Sequence, residues 1–245
     1  MHDPACQDCP LRAHPMFIPQ GGDEVALIQR LKRKLVEYGA GETVLAEGEA
    51  DAPLFTLYAG WAFRYKTLSD GRRQILNFLL PGDFIGMQQK MSEAHVHGVD
   101  TLTPAWLCRF QRDALWELHS HAPRLGFDVT WLAAHEEGMV DDNLLSVGRR
   151  SALERIAALL ILLYKRAAVM LPDRGASGVP FPLTQQHLAD ALGLSLVHTH
   201  RTLAALTRHG LHRIEGGRLY LVNPRALERL ADLYGDGMPP RRPLI

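Results

Sequence analysis

The stretch Leu183-Thr-Gln-Gln-His-Leu-Ala-Asp-Ala-Leu-Gly-Leu-Ser-Leu-Val-His-Thr-His-Arg-Thr-Leu-Ala-Ala-Leu-Thr-Arg-His-Gly-Leu211 decides the reading of this chain. Thr184 can cap a first helix running through Leu188, Ala189 and Leu192, and the small Ala189 lets a second helix come close. Gly193 permits the positive φ that a tight turn between helices requires. Ser195 is a good cap for the second helix. Leu196, Thr199, Leu203 and Leu206 recur at helical spacing and predict a buried stripe. Val197, Arg201, Ala204 and Arg208 lie on another face, with His198 and His200 at its margins, and Gly210 supplies a stop. Two short helices about such a turn are the layout of a helix-turn-helix that reads duplex DNA. Arg201 then suits the O6 and N7 edge of guanine, and Val197 suits a thymine methyl. Thr184, Gln185 and Gln186 open a helix, where hydroxyl, amide and backbone N–H groups suit a phosphate. A plain helical hairpin in a core would not need Gly193, Ser195 and both faces together.

Working outward, Gly216-Gly217 separates two alternating apolar runs, a strong hairpin signal. A two-stranded wing after the second helix makes a winged helix-turn-helix. Arg213 and Arg218 flank it, either as phosphate contacts or as solvated charges. Between Pro180 and Leu233 the basic residues (Arg201, Arg208, Arg213, Arg218, Arg225, Arg229) only slightly exceed the acidic ones (Asp190, Glu215, Glu228, Asp232). The whole chain carries 27 basic and 27 acidic residues. A DNA binder needs only one basic face, but so small an excess points to modest affinity per protomer and reliance on pairing.

At 245 residues the chain has room for about two domains. Three cysteines exclude a fully paired disulfide framework. The polar, proline-containing start does not read as a signal peptide, and the apolar run 157–163 is too short to span a bilayer. The expectation is a cytoplasmic protein without a membrane partner.

Residues 35 to about 115 read as all-β. Turn signals at Gly39–Gly41, Glu47–Gly48, Asp51–Pro53, Asp70–Gly71 and Pro81–Gly82 are spaced for a small antiparallel roll, with a hairpin at Asp70-Gly71. From Pro123 to about Val147 the pattern turns helical. Val140, Leu144 and Val147 suggest a coiled-coil seam that weakens toward Glu137 and Ala133; a second seam through Leu125, Val129, Leu132 and Met139 is also available. Gly148 is expected to interrupt this helix and act as a hinge, and Ser151-Ala-Leu-Glu154 is a capping box that starts the next one.

A β-roll, long helix, hinge and winged helix-turn-helix in this order resemble the Crp/Fnr family of bacterial transcription regulators, closer to its Fnr-like than its cyclic-AMP-binding branch. The resemblance covers nearly the whole chain. Its most specific pieces are Gly41-Glu-Thr-Val-Leu-Ala-Glu-Gly-Glu49, Leu57-Tyr-Ala-Gly60, Pro81-Gly-Asp-Phe-Ile-Gly86 and 183–211. It implies an α+β fold: an N-terminal cysteine-containing segment over 1–22, a cyclic-nucleotide-binding-like β-roll over 23–122, and a long dimerisation helix and hinge over 123–148. A winged helix-turn-helix over 149–236 and a flexible tail over 237–245 complete it. It also implies a homodimer on a palindromic site in double-stranded DNA, with RNA polymerase as a further partner. Arg201 falls on the family's guanine reader, and Ser195 and Thr184 on phosphate contacts. Val197 stands where the family often has a glutamate, so the half-site departs from the usual one beyond its guanine.

The roll residues Phe84, Gly86, Met87, His95 and His97 are the effector-pocket candidates. The cyclic-AMP branch has a glutamate after Phe-Ile-Gly and an Arg-Ser pair further on. Here Met87 follows Gly86, and His97 and Gly98 stand for Arg-Ser. With neither ribose acceptor nor phosphate partner, cyclic AMP is not the expected ligand. The oxygen-sensing branch ligates an iron–sulfur cluster through an N-terminal cysteine cluster and one roll cysteine. Here Cys6-Gln-Asp-Cys9 is a CxxC and Cys108 matches the roll position, while Pro15 replaces the remaining cysteine beside His14. Cys6, Cys9 and Cys108 with His14 or an exchangeable ligand suit a cluster or zinc. A thiol–disulfide switch at Cys6 and Cys9, or a disordered tail with idle thiols, are the alternatives.

His95-Val-His97 also allows a metal-dependent, cupin-like barrel enzyme with an accessory DNA domain, although Asp100 follows in place of the expected glutamate. A small-effector regulator with incidental cysteines is the nearer alternative. No nucleophile motif or phosphate-cradling glycine loop is present, and an enzyme is not expected.

Overall fold

A computed structural model describes residues 3–50, 52–87, 94–233 and 239–245. The chain divides into two compact units: Met1–Gly71, Asn77–Gly138 and Arg241–Ile245 form the first, Arg72–Leu76 and Met139–Pro240 the second.

The first unit opens with a 3-10 turn at Cys6–Asp8 and helix α1 (Gly22–Leu31). Eight strands follow: β1 (Lys32–Tyr38), β2 (Thr43–Leu45), β3 (Leu54–Ala59), β4 (Ala62–Thr67), β5 (Arg73–Leu79), β6 (Phe84–Ile85), β7 (Gly98–Thr101) and β8 (Ala105–Phe110). They make two four-stranded sheets, ordered β1-β8-β3-β6 and β2-β7-β4-β5. Alternating side chains bury Leu45, Phe55, Leu57, Ile85, Val99 and Leu107 in a shared core, each contributing about 1.5–3 kcal/mol. The turn from β3 to β4 needs glycine: at Gly60 φ is 94° and a Cβ would lie 2.5 Å from the Pro104 carbonyl oxygen. The expected hairpin at Asp70-Gly71 joins β4 to β5, with Gly71 at φ 86°.

Helix α2 (Ala114–His121) and helix α3 (Pro123–Arg149) follow the roll. A second core combines Cys6, Ile28, Phe84, Phe110 and Leu118 with Leu125, Val129 and Leu132 of α3. The two seams of α3 are therefore not alternatives. One packs within the chain, while Ala133, Glu137 and Leu144 stay exposed, Leu144 at 71%. Gly148 does not interrupt α3, contrary to expectation, because the helix continues to Arg149. One glycine in a last turn costs only about 1 kcal/mol; the break comes where Ser151, extended at φ −64° and ψ 163°, caps the next helix.

In the second unit, α4 (Ala152–Ala168) buries Ile156, Ala157, Leu160 and Leu163 and forms the core on which the later elements pack. Strand β9 (Val179–Pro180), helices α5 (Gln185–Leu192) and α6 (Leu196–Arg208), strands β10 (His212–Glu215) and β11 (Arg218–Leu221) and helix α7 (Pro224–Ala231) complete it. Among the described residues no helix is long and apolar enough to cross a membrane.

The tail differs from expectation. Residues 237 and 238 lie outside the described set, but Arg242, Leu244 and Ile245 are buried in the first unit. The sequence pairs cations with an apolar Leu-Ile, and both kinds of group find partners there.

Candidate nucleic-acid interface and thiol cavity

The helix-turn-helix forms from local chemistry. The Thr184 hydroxyl accepts from the His187 N–H at 3.2 Å, while the Thr184 N–H donates to His187 Nδ1 at 3.1 Å. Here a histidine completes the capping box. Gly193 ends α5 in the left-handed region at φ 63° and ψ 37°. Ser195 Oγ accepts from the His198 N–H at 3.2 Å and starts α6. Thr199, Thr202, Leu203 and Leu206 are buried, whereas Leu196, expected in that stripe, is 48% exposed at the first helical position. The first turn of α6 projects past the core, which the 3.6-residue period alone does not show.

Val197, His200, Arg201 and Arg208 remain exposed on α6. Arg201 has no hydrogen-bond or ion-pair partner among the described residues. The other candidates are partly engaged. His200 Nδ1 lies 3.2 Å from Gln185 Oε1, and Gln186 donates to Asp190 at 2.6 Å. In the wing, Gly216 and Gly217 have φ 57° and 72°, the two positive values of a type I′ turn. The wing is three-stranded, because β9 pairs with β11. Arg218 donates from Nε to the Ser177 carbonyl at 2.8 Å and from a terminal nitrogen to the Gly178 carbonyl at 2.6 Å. Its guanidinium therefore holds β9 to the wing. Arg213 stacks over the Tyr220 ring at 4.3 Å.

The cysteine-bearing start is anchored. The Cys6 N–H donates to Gln29 at 2.6 Å, Arg12 Nε donates to the Cys6 carbonyl at 3.2 Å, and Asp3 pairs with Lys32. Antiparallel pairing sets Cys108 opposite Leu35 and Thr56. All three cysteines are free thiols. They line one narrow cavity of about 20 Å³ with Arg12, Lys32 and Tyr58. Burial pushes the Cys108 thiol up to about 12 and raises that of Cys6, partly opposed by the Lys32 cation. His14 is not in the wall of this cavity. Its Nδ1 accepts from the Met16 N–H at 3.2 Å and its ring stands edge-on to Phe17. The expectation of His14 as a fourth ligand is corrected: its local turn points the imidazole at the backbone. Among the described residues, no three His, Cys, Asp or Glu side chains are gathered closely enough to hold a metal as they stand.

Residues 35–122 match the cyclic nucleotide-binding domain family and residues 154–230 the Crp-like helix-turn-helix domain family. The nitrogen fixation regulation protein FixK of Bradyrhizobium diazoefficiens is 34% identical over 227 residues, covering 92% of this chain and 93% of FixK. The chain belongs to the Crp/Fnr family. The transcriptional activator protein FnrL of Cereibacter sphaeroides is 32% identical over 238 residues, 96% of this chain and 95% of FnrL. The structure of FixK2 from Bradyrhizobium japonicum superposes with a TM-score of 0.72 at 28% identity, covering 80% of this chain and 96% of that one. As a Crp/Fnr member with such relatives, this is a DNA-binding transcription regulator and not an enzyme. It acts as a homodimer under a redox or oxygen-type signal or a small effector.

Phe84 packs into the core against Phe110, with ring centroids 6.2 Å apart. Gly86 and Met87 line a groove with Pro53, Leu54, Trp116 and His119. His95 and His97 are buried, with ring centroids 4.5 Å apart. His95 Nδ1 lies 2.7 Å from the His97 carbonyl and must carry the proton, since a carbonyl only accepts. Burial lowers both, His97 to about 3. The two rings meet edge to face at 77°, and among the described residues no third ligand-type side chain joins them, so the cupin-like arrangement does not form. Sequence reasoning missed the buried ion pair of Arg64 Nη1 with Glu136 at 2.7 Å. Asn77 donates to the same carboxylate at 3.0 Å. Arginine within an apolar strand was the available signal.

Proposed function

We propose that this regulator reads a palindromic operator through Arg201 and senses a redox or oxygen-type signal at Cys6, Cys9 and Cys108. The observation that carries the signal is the meeting of all three thiols on one cavity with two cations in its wall. Three soft donors beside Arg12 and Lys32 suit a thiolate-bound group, because the cations offset the negative charge of the thiolates. Cys6, Cys9 and Cys108 would hold an iron–sulfur cluster, or zinc as the second metal the donors allow, with an exchangeable fourth position. When bound, a cluster supplies one-electron and oxygen chemistry.

Cyclic AMP is not the ligand this reading assigns. A Cβ on Gly98, where the cyclic-AMP branch carries serine, would lie 2.4 Å from Tyr65 Cζ. The Tyr65 ring fills that place and its hydroxyl bonds Asp100 at 3.2 Å.

Two α6 helices enter successive major grooves about one helical turn apart. Arg201 reads guanine, Val197 meets a thymine methyl, and His198, His200 and Arg208 flank them. Ser195, Thr184, Gln185 and Gln186 take phosphates. Arg218 contributes through the shape of the wing. The dimer forms along the exposed seam of α3. In the cytoplasm it recruits RNA polymerase as an activator, a reading supported by the name of the FnrL relative.

Anaerobic purification of the full chain, with iron, sulfide and zinc analysis and operator binding before and after air, tests the signal. Visible absorption lost in Cys108→Ser, with air-sensitive binding, is expected. A colourless, metal-free protein that binds DNA fully and indifferently to air would overturn it. For the reader, Arg201→Ala should weaken binding by roughly 1–3 kcal/mol on the guanine site. Equal wild-type affinity for guanine-substituted sites would sink direct readout.

A further inference from the structure

The chain leaves the second unit at Pro240 and rejoins the first at Arg241. There it seats on the segment that carries Cys6 and Cys9. Arg242 forms a parallel bridge with Phe17. Its N–H donates to the Met16 carbonyl at 3.0 Å, and the Ile18 N–H donates to its carbonyl at 2.9 Å. Arg241 donates to the Pro15 and Phe17 carbonyls at 2.9 and 3.1 Å. The Arg242 guanidinium pairs with buried Asp83, donates to the Pro81 carbonyl at 2.6 Å and lies over the Phe17 ring. Gly82 makes room for it: a Cβ there would lie 2.4 Å from Phe17 and 2.9 Å from Arg242. Beyond Pro243, Leu244 and Ile245 are 3% and 4% exposed and Thr56 donates its hydroxyl to the Ile245 carbonyl. Both apolar side chains are part of the wall of the thiol cavity.

We propose that residues 241–245 are an intramolecular strap that closes the thiol cavity, and that its release opens Cys6 and Cys108 to reagents. The roll presents the docking surface, and the partner is the chain's own segment. Charge complementarity fixes one end, Arg242 on Asp83. Apolar burial fixes the other, Leu244 and Ile245 against the cavity. Because the strap is continuous with the DNA-binding unit, its release is a covalent route from thiol to reader that does not run through α3. By linkage, a group attached to the thiols that disfavours the docked strap must loosen it by the same factor by which the strap excludes that group. This regulatory meaning rests on the thiols being the sensing group; closure of the cavity does not.

The test uses the reduced, metal-free full chain and iodoacetamide, with labelling of each cysteine followed by mass spectrometry. Trypsin cleavage after Arg241 is followed in parallel as a measure of strap docking. Leu244→Asp should raise labelling of Cys6 and Cys108 about tenfold or more, the equivalent of losing one leucine's burial. Arg241→Ala, which leaves no buried charge unpaired, should give a smaller rise in the same order. In Leu244→Asp, cleavage should speed up; Arg241→Ala removes the scissile arginine and is followed by labelling alone. A rise with weak urea dependence marks local opening and separates the strap from loss of the fold. Faster cleavage with labelling unchanged within about twofold overturns the proposal. So does cleavage unchanged in Leu244→Asp. Labelling that responds while DNA binding ignores thiol alkylation keeps the strap and removes the sensing reading.

Discussion

Replacing Glu136 by glutamine is a sharp test of what holds the roll to its helix. The Glu136 carboxylate takes one bond from Arg64 Nη1 at 2.7 Å and one from Asn77 at 3.0 Å, with the two ion-pair side chains only 6% and 9% exposed. Glutamine keeps an acceptor for Asn77 and nearly the same volume, so packing is preserved and only the charge is lost. Arg64 is then a buried cation whose Nε already has no hydrogen-bond partner. Breaking a buried pair in this way costs about 3–5 kcal/mol, far above the ~0–1 kcal/mol of a surface pair. Trp61, Trp106, Trp116 and Trp131, the four tryptophans of the chain, all fall in the first unit. Urea unfolding followed by tryptophan fluorescence therefore reports that unit alone. At about 1–3 kcal/mol per molar urea, the midpoint should fall by roughly 1–5 M. Arg64→Met on the same background removes the orphaned cation and should recover at least about 2 kcal/mol. A loss under about 1 kcal/mol for the single variant, or a double variant as unstable as the sum of the singles, would refute the reasoning.

The depressed His97 gives stability a pH dependence. Between about 3, its folded value, and an unfolded value of roughly 6.5, only the unfolded chain binds the proton. Stability is thus full above about 6.5 and falls toward acid by about 1.4 kcal/mol per pH unit for this one group; His97→Gln should flatten the urea-midpoint profile by that slope. Leu144→Glu, at a position 71% exposed on α3, should give monomers by analytical ultracentrifugation and weaken operator binding by about 10²-fold or more through loss of the paired half-site. Wild-type dimers in that variant would exclude the exposed seam as the interface. Gly98→Ala should destabilise the first unit by about 1–3 kcal/mol, because the new methyl meets the Tyr65 ring. Tyr65→Leu should relieve most of that loss, and its failure to do so would remove the steric explanation.

The helix-turn-helix was legible because its determinants are local. Thr184, Gly193 and Ser195 each act within four residues of their own backbone, and the buried stripe follows one period. The turns of the roll were legible for the same reason, as at Asp70-Gly71. What escaped was long-range. Arg64 and Glu136 are 72 positions apart in the chain, and nothing near either names the other. Helices α1 and α2 are short, and their apolar positions pack on the roll without a long period to announce them. Gly148 looked like a break because glycine is a poor helix former, but one residue at the end of a long helix is outweighed by its neighbours. Arg218 looked like a phosphate contact, and carbonyl groups some 40 residues earlier claimed it.

The sequence by itself determined the class of partner. Capping, turn and periodicity rules are short-ranged, so the DNA reader and its exposed Arg201 follow from adjacent residues, as does the strand-rich sensor. Only the tertiary structure decided which distant groups meet. It brought Cys108 of β8 to the cavity of Cys6 and Cys9, turned His14 away, and seated Arg242 on Asp83. These pairings depend on sheet register and on burial of charges that must find partners once removed from water, and neither is encoded within any one stretch of chain.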